Sequence, residues 1–182
     1  MPTLDPIYSL TIALLIAFVF ALAGMHKVMD FARHAGVVAD YRVVPAWSVP
    51  LLAPLVVVLE LGAAFLVLIP LTRSTGLILT IGLLLIYIFS IGLNLVRGRT
   101  SIDCGCGWGS QGHQISAWLI VRNLTMMVVV AAALLPSSNR PLYLVDWILT
   151  AFAGAAVIVV YYIGDLLIAN GSKLSKLKSA HG

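Results

Sequence analysis

The sequence predicts an all-α fold, a polytopic membrane helical bundle of about five transmembrane helices in a single domain over residues 1–182. Three observations carry that prediction. Apolar residues make up 61% of the chain and charged residues only 10%, where soluble domains carry about a quarter charged. Mean hydropathy is +1.06. The apolar residues also fall into continuous runs of about the 20 residues that a helix needs to cross a bilayer, whereas barrel strands alternate. No internal repeat or low-complexity segment divides the chain.

The first run covers 7–28. Its Ala21-Leu22-Ala23-Gly24 has the look of a signal-peptidase site, but no Lys or Arg precedes residue 26, so the positive flank of a signal peptide is missing and the run reads as a retained span. Ala13, Ala17 and Ala21 recur every fourth residue with Gly24 nearby, a small-residue face for close helix packing, and the run closes on His26-Lys27. Between Met29 and Trp47, Asp30, Arg33, His34, Asp40 and Arg42 interleave with apolar residues, the pattern of an amphipathic helix lying in the interface, stopped by Pro45. The second run, 49–70, opens with Pro50 and Pro54 and carries Glu60 near its middle. Pro70 and Arg73 mark a tight connection to the third, 75–96, which closes with Asn94, Arg97 and Arg99. The fourth, 115–135, begins near Ser116, a good N-cap residue, and contains Arg122-Asn123. Residues 136–141 read as a turn. The fifth run is 144–168, and Lys173, Lys176 and Lys178 follow it. Trp47, Trp108 and Trp118 suit interfacial anchoring. The net charge of +4 is spread singly over span ends and the tail, which suits contact with a lipid bilayer and is no nucleic-acid footprint.

The loop 97–114 holds the only two cysteines, Cys104 and Cys106, within Asp103-Cys104-Gly105-Cys106-Gly107. A disulfide wants Cα atoms about 4.4–6.8 Å apart, which an i, i+2 pair reaches when the middle residue takes an unusual backbone conformation, as Gly105 can. Four readings stand: two unpaired thiols, a local structural disulfide, a metal site with His113, and a pair that exchanges. So small a ring is strained, and strained disulfides are the labile, catalytic ones, which favours exchange. A closed zinc site needs four ligands, and Asp103 is the one obvious local candidate for the fourth, so no metal is expected. No cofactor is expected either, with a bound quinone as the alternative, since a single pair lacks the second dithiol of a relay to quinone.

Counting residues along the helices puts His26, Glu60, Asn94, Arg122 and Asn123 in the leaflet beneath the cysteines. Ionisable groups at that depth face the bundle interior and pair, and the expected pair is Glu60 with Arg122, either as a structural lock or with Arg122 reaching toward the loop to hold a cysteine as thiolate. Asp103 would oppose that shift. Topology brings a conflict. With five spans, Lys27, Arg33, Arg42, Arg97, Arg99, Lys173, Lys176 and Lys178 share the loop face, against Arg73 and Arg140 on the other. The positive-inside rule then puts the cysteines in the cytoplasm, where disulfides are disfavoured.

Several of these residues together carry a resemblance. Ala23-Gly24-x-His26-Lys27, Tyr41 and Pro45, Glu60, Asp103-Cys104-Gly105-Cys106-Gly107 and Arg122-Asn123 resemble the MauE family of bacterial methylamine utilisation, within the broader DoxX-like group, over residues 10 to 135 or so. Gly107-Trp108 departs from the aromatic residue expected directly after the second cysteine. The resemblance implies a four-helix DoxX-like core plus a C-terminal span in the bacterial cytoplasmic (inner) membrane. It implies maturation of the disulfide-rich small subunit of methylamine dehydrogenase beside a thioredoxin-like, MauD-type partner. A periplasmic client asks for a periplasmic cysteine loop, against the charge count. The expected redox residues are then Cys104 and Cys106, supported by Arg122, Glu60, Asn123, Asp103 and His26. The rival readings are a non-catalytic membrane scaffold and a Cys/His metal-handling protein.

Overall fold

A computed structural model describes residues 5–100, 102, 115–138 and 140–180, with the backbone alone described at 165 and 168–180. The described chain is helical: α1 (Pro6–Met29), α2 (Phe31–Asp40), α3 (Val49–Leu68), α4 (Arg73–Val96), α5 (Ala117–Ala132) and α6 (Leu144–Ala180), with a 3₁₀ turn at Ala46–Ser48 before α3. Four of these are long and apolar enough to cross a membrane, α1, α3 with its 3₁₀ turn, α4, and α6 as far as Gly164; α5 is a shorter apolar helix of 16 residues. The fourth run is thus shorter than its apolar stretch, because Ala133 to Leu135 leave the helix in a turn. The fifth is longer than expected. Gly164 and Gly171 do not stop it, and α6 runs on through the lysine tail.

The core is built on α1. It packs most closely on α3, with α6 on another side, and α4 bridges α3 to α5. Ile16, Ala63, Val67, Leu77, Leu83 and Val130 are at most 2% exposed and fill this interior. The small-residue face does what its spacing predicts: Ala13 and Ala17 are buried, and a Cβ on Gly24 would stand 2.7 Å from Leu61 Cδ2 and 3.6 Å from Glu60 Cβ. Only glycine lets α1 come this close to α3. At the other end of α3 the chain turns within four residues. Thr72 Oγ1 donates to Leu66 O at 2.9 Å and Arg73 Nε to Val67 O at 3.2 Å, satisfying carbonyls that a helix C-terminus leaves unpaired. Gly76 is packed there with no room for a Cβ, which would lie 2.6 Å from Val67 N.

The amphipathic segment is a helix, α2, broken from α1 at Asp30, whose carboxylate accepts from the Arg33 amide at 3.2 Å. It docks on α3 through its two buried residues, His34 and Val37. Arg33 and Arg42 on this connection stay exposed. Pro45 does not end α2, which stops at Asp40; it starts the 3₁₀ turn.

Two ionic sites mark the two ends of the bundle. At the end of the N-terminus and the α5–α6 turn, Arg140 forks between Asp5 (2.9 Å) and Asp146 (2.7 Å), tying the start of α1 to the start of α6. Arg140 thereby holds the Asp5 carboxyl below its ordinary value, helped by the Ile7 amide. At the other end lies the site of interest.

Candidate functional site

Lys27, Glu60 and Tyr87 meet inside the bundle. Lys27 is on the last turn of α1, Glu60 mid-way along α3 and Tyr87 in α4. Helical side chains lean toward the helix N-terminus, so Lys27 reaches back from the membrane surface, and the close approach at Gly24 brings Glu60 under it. Lys27 Nζ and Tyr87 Oη both donate to Glu60 Oε1, and Lys27 Nζ lies 3.4 Å from Tyr87 Oη. Lys27 and Glu60 are 6% and 1% exposed. The expected partner of Glu60 was Arg122, and this is corrected: the ion pair is with Lys27. Counting along the helix puts Lys27 at the interface, and only the backward lean and the tight α1–α3 contact take it inside. The sequence offers Lys27 as a topology signal and as part of the Ala23-Gly24-x-His26-Lys27 motif, and it does not single out Tyr87.

Glu60 also borders a cavity of about 40 Å³, shared with Arg122, Asn123, Met126 and Tyr161. Arg122 and Asn123 are therefore beside Glu60 as the sequence placed them, but around a cavity. Glu60 Oε2 and Asn123 Nδ2 are buried without a hydrogen-bond partner. On the other side of the Lys27–Tyr87 pair lies an apolar pocket of about 250 Å³ between α2, α3 and α4. His26 is exposed, one residue away from Lys27 on the outer face of α1.

Cys104, Cys106, Asp103, Trp108 and His113 lie outside the described residues. The residues that flank them are fixed. Ile115 N–H donates to Ile102 O at 3.1 Å, and Ile102 and Ile115 pack with Ile91, Leu119 and Tyr41. Residues 102 and 115 are therefore held together at one place, near Tyr41 at the end of α2. Asn94, fully buried, secures that corner: its Nδ2 donates to Tyr41 O at 3.0 Å, and its Oδ1 accepts from Arg99 at 3.2 Å. Arg97 donates to Arg42 O at 3.1 Å, and Arg42 itself sits at φ 46°. Trp47 and Trp118 are exposed, as interfacial anchors are. Among the described residues no group of three His, Cys, Asp or Glu side chains forms a metal site.

With the bundle and its polar interior described, comparison with known proteins places the chain. The family model "Methylamine utilisation protein MauE" matches residues 5–136, which takes in α1 to α5 and the cysteine stretch. The chain belongs to the MauE family. A MauE protein of Methylophilus methylotrophus is 32% identical over 98% of this chain and 95% of its own length. One from Paracoccus versutus is 31% identical over 90% and 88%, and one from Paracoccus denitrificans 29% over 98% and 97%. No solved structure matches. Family membership and the apolar helices make this MauE-family chain a multi-pass membrane protein of methylamine utilisation.

Proposed function

We propose that this MauE-family protein is a membrane redox factor for maturation of the disulfide-rich small subunit of methylamine dehydrogenase. It acts by thiol–disulfide exchange at Cys104 and Cys106 with a thioredoxin-like partner, from the bacterial inner membrane with the cysteine loop on the periplasmic side. The observation that carries the reading is that the only cysteines of the chain are two residues apart, in a stretch whose ends are pinned together at Ile102 and Ile115. Exchange runs by thiolate attack on the partner's disulfide, or the reverse, through a mixed disulfide. Asn94 and the Ile102–Ile115 bond hold the ends of the loop while its thiols change partners. Arg122, Asn123 and Glu60, which border one small cavity, are the supporting residues of this reading.

Burial of Lys27 takes one of eight positive residues off the loop face, and Arg33 and Arg42 remain exposed there, so the periplasmic placement runs against the charge bias. Thiol labelling tests both. A membrane-impermeant maleimide added to intact cells is expected to react with Cys104 and Cys106 only after reduction, and the Cys104→Ser and Cys106→Ser variants are each expected to abolish small-subunit maturation. Labelling only after lysis overturns the placement, and full maturation with both cysteines replaced overturns the exchange reading.

A further inference from the structure

We propose that the apolar pocket between α2, α3 and α4 binds the ring of a prenylated quinone, with Lys27 as the donor to a quinone carbonyl. The pocket, of about 250 Å³, is walled by Val37, Val56, Leu59, Leu83 and Ile86, and its polar lining is Lys27 and Tyr87 together with His34, Tyr41 and Ser90. Ligand sites of this kind are mostly apolar with a few convergent polar groups that fix orientation. The polar end decides between the amphiphiles a bilayer offers. An ammonium has three N–H donors, and Glu60 Oε1 and Tyr87 Oη take two from Lys27, leaving one. A lipid acyl chain would bring a methyl group against that donor and waste it. An anionic head group would find its positive charge already balanced by Glu60. A quinone is neutral, has carbonyl acceptors on a flat apolar ring, and carries a prenyl tail that suits the Val and Leu walls.

A second observation lies behind the same pair of side chains. Glu60 is 1% exposed with Oε2 unbonded, on a cavity that also holds the unbonded Asn123 Nδ2. Glu60 lines the smaller cavity and not the pocket, and it reaches the pocket through Lys27, which lines both. Binding does not depend on the cysteines. Where the exchange reading also holds, the two are linked: as the Cys104–Cys106 bond forms, two S–H bonds break and release two electrons and two protons, and the quinone takes up two of each at its carbonyl oxygens to become the quinol.

The test uses the full-length protein in phosphatidylcholine nanodiscs, titrated with a benzoquinone bearing one isoprene unit and read by quenching of the native tryptophan fluorescence. Saturable binding of about one quinone per chain is expected. Val56→Phe, which fills the pocket, is expected to weaken it about tenfold or more, as is Ile86→Trp at a position 54% exposed, which serves if Val56→Phe does not fold. The Lys27→Met, Glu60→Gln double variant, which keeps the interior neutral, should lose the affinity that the donor supplies. The Cys104→Ser, Cys106→Ser double variant should bind as the parent does, so that a failed exchange reading and a failed quinone site are told apart. Non-saturable uptake equal to that of empty nanodiscs overturns the proposal. So does unchanged affinity in a folded pocket-filling variant, or a phospholipid found stoichiometrically in the pocket by native mass spectrometry.

Discussion

The bundle has an ionic cluster toward each end, built from the same chemistry in opposite surroundings. Arg140, Asp5 and Asp146 are 33%, 38% and 12% exposed. Lys27 and Glu60 are 6% and 1% exposed. Exposed ion pairs are screened by salt and contribute little, whereas a buried pair recovers its desolvation cost only while both partners are present. The outer cluster is therefore the weaker clasp of the two. The inner one is a commitment, in that neither residue is tolerable alone.

The largest expected effect comes from breaking the inner pair on one side. Lys27→Met leaves Glu60 buried without its cation and is expected to cost about 3–5 kcal/mol, measured by unfolding in detergent. Adding Glu60→Gln should restore most of it; failure to do so would show that the two side chains do not act as a pair. Next comes Gly24→Ala, which pushes a Cβ to within 2.7 Å of Leu61 Cδ2. The overpacking is expected to cost about 1–3 kcal/mol, less if Leu61 turns away, and a stability equal to the parent's would remove the close α1–α3 contact as the reason Lys27 reaches Glu60.

The outer cluster should respond to solution conditions more than to deletion. Asp5 has a folded-state value below its ordinary 3.8, chiefly through Arg140. The unfolded chain thus binds the proton first as pH falls. The stabilisation is complete above about pH 4 and is lost as pH drops through the lower folded value, and it should shrink with salt. Arg140→Gln is expected to flatten both dependences in thermal melts, and an unaltered acid limb would refute the clasp. The smallest effect is at His34, which lies between the two extremes. Its imidazole is held below the ordinary 6.5 by burial first and by the Lys27 charge second, and its Nε2–H donates to Ala53 O at 3.0 Å. Neutral His34 is the docked form, so α2 docking is strongest above about pH 6.5 and loosens below it. Proteolysis within 31–44 should rise as pH falls from 7 to 5.5, and His34→Gln, which keeps a donor, should not show that rise.

The spans were legible because transmembrane length and apolarity are local properties, and α2 was legible because its polar residues interleave with apolar ones at helical spacing. The helix ends were not: Leu134 and Leu135 are as apolar as the helix they leave, and Leu, Ala and Lys continue α6 past its glycines. Glu60 was legible as a buried carboxylate by depth alone. Its partner was not, because Lys27 and Arg122 are both one cation near the right leaflet, and the choice rests on which helix comes closest, decided by Gly24. Tyr87 carries no sign in the sequence that separates it from any other aromatic residue in a span.

The shortness of α5 has a consequence for the bilayer itself. Sixteen residues make a cylinder about 24 Å long, some 6 Å less than the hydrocarbon thickness of a typical membrane. Hydrophobic mismatch of this sign is relieved by local thinning of the lipid. A bilayer crossed by α5 is expected to thin where it meets this helix. Lipids with shorter acyl chains are then expected to gather along this flank.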